Sequence, residues 1–63
     1  MGLVVAGTFE LYEDGAGKYR FRLKASNGQV IAVGEDYETK AAALNGIASV
    51  QKNAPEAKVV DQT

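Results

Sequence analysis

The 63-residue chain has no His and no Cys, so the side chains able to do chemistry are carboxylates, amines, guanidinium groups, phenols and hydroxyls. The usual general base near neutral pH, the thiolate nucleophile and the ligands of structural zinc are therefore all missing. Carboxylates cluster at Glu13-Asp14 and over residues 35–38. We interpret them as solvated turn residues, with a weak calcium or magnesium site as the alternative. We predict no enzyme activity, no cofactor and no metal.

Basic residues alternate with apolar residues over the stretch KYRFRLKA, residues 18–25. Successive side chains of a strand point to opposite faces, so this pattern predicts a strand with one apolar and one cationic face. With Tyr12 or Tyr19 as a stacking platform, the cationic face is a candidate surface for single-stranded nucleic acid or another polyanion. We call this candidate site the basic stripe; its members are Lys18, Arg20, Arg22 and Lys24.

The overall charge argues against a polyanion ligand. The net charge is −1 and the pI is about 5.2, so there is no global attraction to nucleic acid or to an anionic membrane. No apolar run has the length of a transmembrane helix. We therefore favour a cytoplasmic protein with no membrane contact, whose basic stripe is a solvated face neutralised by Glu10, Glu35 and Glu38.

A first hairpin is predicted from the strand-like stretch TFELYE, residues 8–13, and a glycine-rich turn over residues 14–17. A plain four-residue loop would place Phe9 and Leu11 on the side of the basic stripe. One bulge would return both to the apolar face. We favour the bulge, because it joins the apolar residues of both strands.

A second hairpin is predicted at Asn27-Gly28, a sequence typical of a two-residue type I′ loop. That loop pairs Ala25 with Val30 and Leu23 with Ala32. The apolar face then continues through Val30 and Ala32. The opposite face, beside the basic stripe, would carry Ile31 and Val33.

A helix is predicted over residues 40–53, with Thr39 as its N-cap. Its apolar stripe comprises Ala43, Ile47, Val50 and Ala54, with Leu44 at the shoulder. Asn53 suits a left-handed terminator, and Pro55 prevents continuation. Tyr37, just ahead of the helix, is predicted to fill the core. Residues 57–61, AKVVD, predict a short last strand, and residues 62–63 a frayed tail.

The short chain predicts an oligomer. A chain of 63 residues makes one domain with a marginal core, and such chains usually need disulfides, a metal or a partner chain. Without Cys and His, disulfides and metal sites with thiolate or imidazole ligands are excluded, so we predict a homodimer. The last strand follows Asn53-Ala54-Pro55 and is a natural element to exchange between chains. A further, unidentified protein partner is expected at the sheet or helix face.

Several stretches together resemble the short DUF1508 family, also called UPF0339 or YegP-like. The matching stretches, between Gly7 and about Val60, are FELY with Asp14, GKYRFRLKA with Asn27-Gly28 and VIA, Tyr37 with Thr39-Lys40, and LNGI with KNA. The resemblance implies an α+β fold of β-β-β-α-β units, as tandem repeats or as two subunits, which share one continuous sheet and exchange C-terminal strands. It implies no established activity and no catalytic residues. Residues 1–6, an apolar N-terminal extension, depart from the usual start of the family.

Overall fold

The computed structural model describes residues 7–63; the N-terminal extension, residues 1–6, lies outside the described residues. Three antiparallel strands form one sheet in the order β1-β2-β3. One helix packs against one face of this sheet, where it contacts β2 and β1. The predicted α+β class is therefore confirmed. The elements are β1 Thr8–Glu13, β2 Tyr19–Lys24, β3 Val30–Val33, α1 Lys40–Asn53 and a 3₁₀ turn Ala54–Glu56.

The first hairpin closes through a bulge, as predicted. The Gly17 N–H donates to the carbonyl of Asp14 over 3.0 Å, while the Asp14 N–H donates to the carbonyl of Lys18 over 2.8 Å. Gly17 has φ +80°, the left-handed conformation of the glycine in a G1 bulge. The resulting register pairs Phe9 with Leu23 and Leu11 with Phe21. Both first-strand residues therefore lie on the apolar face.

The second hairpin differs from the predicted type I′ loop. That loop requires positive φ at both central residues, whereas only Gly28 has one, at +89°. The Gly28 N–H donates to the carbonyl of Ala25, so the turn has three loop residues and a bulge like the first. Val30 consequently lies opposite Lys24, beside the basic stripe, rather than on the apolar face. A further irregularity at Ile31 restores the predicted pairing of Leu23 with Ala32.

The segment between β3 and α1 follows the sheet instead of looping away from it. Tyr37 pairs with Tyr19 in an isolated antiparallel bridge, with N–H to carbonyl distances of 2.9 and 2.8 Å. The acidic residues of this segment, within residues 35–38, were predicted only as solvated turn residues. The bridge fixes which of these residues lie beside β2.

The core is small and centres on one aromatic ring. Phe21 is 4% exposed and Ala43 of α1 is fully buried. The Phe9 ring meets the Phe21 ring edge-on with centroids 6.0 Å apart, and the Tyr37 ring stacks on it at 6.0 Å. Tyr37 therefore fills the core as predicted. A side chain at Gly46 of α1 would collide with the Tyr37 hydroxyl, so this helical glycine gives the tyrosine its space.

The start of α1 is capped as predicted, but its end is built differently. The Thr39 hydroxyl accepts from the Ala42 N–H over 3.0 Å. Asn53 has φ −97° and is not a left-handed terminator. Its side-chain amide donates back to the carbonyl of Ser49 over 2.8 Å. The chain then tightens into the 3₁₀ turn that contains Pro55, and Ala54 is exposed rather than part of the buried stripe.

The predicted last strand, Ala57–Asp61, is not formed within the single chain. Residues 57–63 have no regular structure, and all are exposed. A strand exists only where a neighbouring strand supplies its hydrogen bonds, and this tail pairs with no strand among residues 7–63. Its hydrogen bonds are local: the Ala57 N–H donates to the carbonyl of Ala54 over 3.2 Å, and the Thr63 N–H donates to the Asp61 carboxylate over 2.9 Å.

Candidate functional site

The basic stripe lies on the face of the sheet away from α1. Three of its residues belong to β2, the central strand, and Lys18 directly precedes that strand. Arg22 lies opposite Glu10 and Arg20 opposite Tyr12 on the neighbouring strand β1. Phe21, at the other parity, points into the core under the helix. The alternation in the sequence therefore brings the four cations onto one surface, as predicted.

Each cation of the basic stripe has a carboxylate partner. Glu10 holds two of them, with Arg22 Nε 2.6 Å and Lys24 Nζ 3.3 Å from its two oxygens. Arg20 Nε lies 2.9 Å from Asp36 Oδ1, so the two side chains form an ion pair. The Nε–H group of Arg20 nevertheless makes no hydrogen bond. Lys18 pairs with Glu38. Four cations thus meet three carboxylates, which leaves a surplus of one positive charge.

The bridge at Tyr37 explains which acids take part. With Tyr37 opposite Tyr19 in an antiparallel pair, the preceding Asp36 falls beside Arg20 and the following Glu38 beside Lys18. Glu35, which the sequence suggested as a partner, makes no ion pair among the described residues. Sequence reasoning missed Asp36 because no local pattern reveals a single bridge between distant residues.

The ion pairs also shift protonation equilibria. Hydrogen bonds from Arg22, and secondarily from Lys24, lower the pKa of the Glu10 carboxyl despite some desolvation. A hydrogen bond to Glu38 raises the pKa of the Lys18 ammonium. Both shifts favour the charged form of each group. Glu10 and Lys18 are therefore favoured in the charged forms that their ion pairs require.

The two candidate stacking tyrosines lie on different faces. Arg22 Cζ lies 5.1 Å from the centroid of the Tyr12 ring, a cation–π contact. This arginine covers one face of the Tyr12 ring. Tyr19 follows the parity of Phe21 and lies on the helix side of the sheet. The aromatic platform that the polyanion hypothesis requires is thus partly occupied at Tyr12 and turned away at Tyr19.

An open groove of about 350 Å³ lies between β1 and the start of α1. Sequence reasoning did not find it, because it forms where the helix start meets the first hairpin. The groove is lined by Leu11, Tyr12, Glu13, Tyr19 and Lys40. Residues 7–63 contain no cluster of three or more His, Cys, Asp or Glu suited to a metal ion, in this groove or elsewhere.

Large apolar side chains are exposed in β3, in the tail and at Leu44 of α1, which is 49% exposed. Every residue of β3 is exposed, including Ile31 at 60% and Val33 at 57%. We call these four residues, Val30–Val33, the β3 patch. In the tail, Val59 is 95% and Val60 71% exposed. Such residues are normally buried in a folded chain or in an interface. Over the described ranges, no helix is both long and apolar enough to cross a membrane.

Both the sequence and the fold of this chain are similar to those of known proteins. The family model described as "Domain of unknown function (DUF1508)" matches residues 14–61. A UPF0339 protein of Treponema denticola is 65% identical over 57 residues, which cover 90% of this chain and 98% of that protein. A solution structure of a Haloferax volcanii protein superimposes with a TM-score of 0.81 at 44% identity, over 92% of this chain and 98% of the other.

A longer relative shows a second chain length in the same family. The UPF0339 protein encoded in the ptx operon 5′ region of Stutzerimonas stutzeri is 58% identical over 52 residues. The match covers 82% of this chain but only 47% of that protein, so this chain spans about half of its length. The family model and the near-full-length relatives agree on one assignment: the chain belongs to the uncharacterised DUF1508, or UPF0339, family.

Proposed function

We propose that the chain is a non-enzymatic interaction module that works as a homodimer. The observation that carries the proposal is the exposure of apolar side chains on the β3 patch and on the tail. A second copy of the chain would cover the β3 patch. Its tail would find a neighbouring strand, which residues 57–63 do not have among the described residues 7–63.

The small core also supports the proposal, because the fold would gain stability if more apolar surface were buried. Only Phe21 and Ala43 are buried among the described hydrophobic residues. One short helix shields part of one sheet face, while β3 contributes no buried residue. Chains of this size often gain the missing burial from oligomerisation. Two copies that covered each other's exposed valines would gain about 1.5–3 kcal/mol for each side chain fully removed from water.

The lengths of the relatives support the same reading. The Treponema denticola protein is about as long as this chain, whereas the Stutzerimonas stutzeri protein has room for two such units. A family that contains both lengths is consistent with a pair of units as the working form. In the longer chain the pair would be covalent, and here it would be two subunits.

Exchange of the tails is part of the proposal. The tail leaves the body after Pro55 and carries two adjacent valines, whose side chains would point to opposite faces of a strand. As an added strand in the partner's sheet, it would bury one valine on each face. The backbone of residues 58–61, which pairs with no strand among residues 7–63, would then gain ladder hydrogen bonds.

Analytical ultracentrifugation of the purified chain tests this proposal. A dimer at micromolar concentration is expected, and Val59→Ser together with Val60→Ser is expected to weaken association by at least about tenfold, since each buried valine contributes about 1.5–3 kcal/mol. Gln62→Ser in the same tail is the matched control. A chain that sediments as a monomer, with an unchanged melting temperature after truncation behind Ala54, would contradict the proposal.

Polyanion binding by the basic stripe is the alternative, and the ion pairs weigh against it. Glu10, Asp36 and Glu38 already neutralise three of the four positive charges. A phosphate backbone would have to displace these carboxylates before it gained its own contacts.

A cytoplasmic location belongs to the main proposal. Affinity capture with a tagged chain tests for a protein partner, and fractionation of cells that express the chain tests the location.

A further inference from the structure

The chain contains two Asn-Gly dipeptides in opposite structural settings. Asn27-Gly28 lies in the exposed turn between β2 and β3, and Asn45-Gly46 lies in the middle of α1. A glycine after asparagine leaves the backbone nitrogen sterically open to attack the side-chain amide. We propose that Asn27 is a site of spontaneous deamidation in the folded protein, at a rate set by opening of its turn, and that Asn45 is protected.

The reaction needs water as its only co-reactant. The Gly28 backbone nitrogen attacks Cγ of Asn27, so that a nitrogen–carbon bond forms and the bond from Cγ to Nδ2 breaks. Ammonia leaves and carries away the amide proton, which gives a cyclic succinimide. Water then opens the ring at either carbonyl, and the product is an aspartyl or an isoaspartyl residue.

Two hydrogen bonds hold Asn27 away from this reaction while the turn is closed. The attacking nitrogen, Gly28 N, donates its proton to the carbonyl of Ala25 over 2.9 Å. The Asn27 Oδ1 accepts from the Gln29 N–H over 2.9 Å, which fixes the side chain along the turn. Residues 26–30 are all exposed, so only local opening is needed to release both groups. Local openings of surface turns require much less free energy than global unfolding.

Asn45 is held by a more stable element. The Gly46 N–H belongs to the hydrogen-bond ladder of α1, and Gly46 packs against the Tyr37 hydroxyl and the Phe21 ring. Freeing this nitrogen requires the helix to unravel and leave the core. The two sites share the same dipeptide, so their rates differ through the structure around them.

Deamidation at Asn27 would alter the β3 patch. The new carboxylate changes the net charge from −1 to −2. An isoaspartyl linkage adds one carbon to the backbone of this turn. In the same turn, the hydrogen bond from the Gly28 N–H to the Ala25 carbonyl sets where β3 starts. The chemistry itself does not depend on the proposed homodimer, and it occurs in either oligomeric state.

Trypsin separates the two sites, because cleavage after Lys24, Lys40 and Lys52 yields the peptides 25–40 and 41–52. The intact chain is aged in mildly alkaline buffer, with and without denaturant, and both peptides are followed by mass spectrometry. Without denaturant, peptide 25–40 is expected to deamidate at least about tenfold faster than peptide 41–52, a difference of about 1.4 kcal/mol in opening free energy. In denaturant both rates are expected to rise and to become similar.

The control variant Asn27→Gln keeps a side-chain amide but lacks the five-membered ring route, and its peptide 25–40 is expected to stay unmodified. Equal rates for the two peptides in the native chain would overturn the inference. A rate at Asn27 that denaturant leaves unchanged would overturn the gating by the turn. Both readouts use the whole chain and are independent of any ligand.

Discussion

Gly34→Ala is expected to destabilise the protein, because the position directly after β3 faces the one buried aromatic ring. A β-carbon at Gly34 would lie 2.5 Å from Cζ and 2.8 Å from Cδ2 of Phe21, and closer still to Cε2. Contacts this short require the ring or the backbone to move. The Gly34 N–H donates to the Phe21 carbonyl over 2.8 Å, so the two residues are also tied through the backbone.

The ring has little room to yield. Phe21 is 4% exposed and is held between the rings of Phe9 and Tyr37. Overpacking of this kind costs about 1–3 kcal/mol. The lower backbone entropy of alanine in the unfolded chain offsets about 0.4–1 kcal/mol of that. The net loss is about 1–2 kcal/mol, which lowers the Tm of a domain of this size by about 4–16 °C.

Circular dichroism melts of Gly34→Ala and of Gly15→Ala make the comparison direct. A β-carbon at Gly15 meets no atom within 4 Å, and its φ is not in the left-handed region, so this control removes a glycine without a collision. All samples are compared at one protein concentration, since the Tm of an associating chain depends on it. If the two variants melt at the same temperature, the close packing described for Phe21 is wrong.

A double mutant separates the collision from other effects. Phe21→Leu removes Cε2 and Cζ, two of the three colliding carbons, at its own cost in core packing. In that background Gly34→Ala is expected to lose most of its effect, so the two changes are not additive. Additive losses would show that Gly34 matters for a reason other than the ring.

Three further outcomes are expected. Glu10, whose pKa is lowered chiefly by Arg22, stabilises the fold above its ordinary pKa of 4.5 and loses this contribution as the pH falls through its folded value. Glu10→Gln is therefore expected to flatten the acid limb of the stability–pH curve, and an unchanged limb in urea titrations would refute the pairing. Thr39→Ala is expected to lower the free energy of unfolding by about 1 kcal/mol, while Thr39→Ser keeps the cap; equal losses in both would show that the hydroxyl does not act as the cap. A labelled single-stranded oligonucleotide is expected to show no change in fluorescence anisotropy at low salt, and binding that weakens with added salt would favour the polyanion alternative.

Local patterns predicted the elements well where one face of each is buried. The period of two over residues 18–25 identified β2, and Thr39 marked the start of α1 correctly, because both signals depend on neighbouring residues. The bulge after Asp14 was predictable for the same reason: only one parity buries Phe9 and Leu11.

The errors came from features that local sequence does not determine. Asn27-Gly28 favours a type I′ loop, yet a three-residue turn with Gly28 alone at positive φ forms instead. The pairing of Tyr37 with Tyr19, which places Asp36 beside Arg20, joins residues far apart in sequence. The valines of the tail predict a strand, but strand formation depends on a neighbouring strand, and residues 7–63 do not provide one.

The order of the three strands has a kinetic consequence. Each strand pairs with the next one along the chain through a three-residue turn, so the sheet contains no crossover and needs no long loop to close. Proteins dominated by such near-neighbour contacts fold faster than those built from distant pairings. Within residues 7–63 the sheet therefore closes over short sequence separations, whereas the contacts that α1 makes with β1 and β2 join parts of the chain that are farther apart.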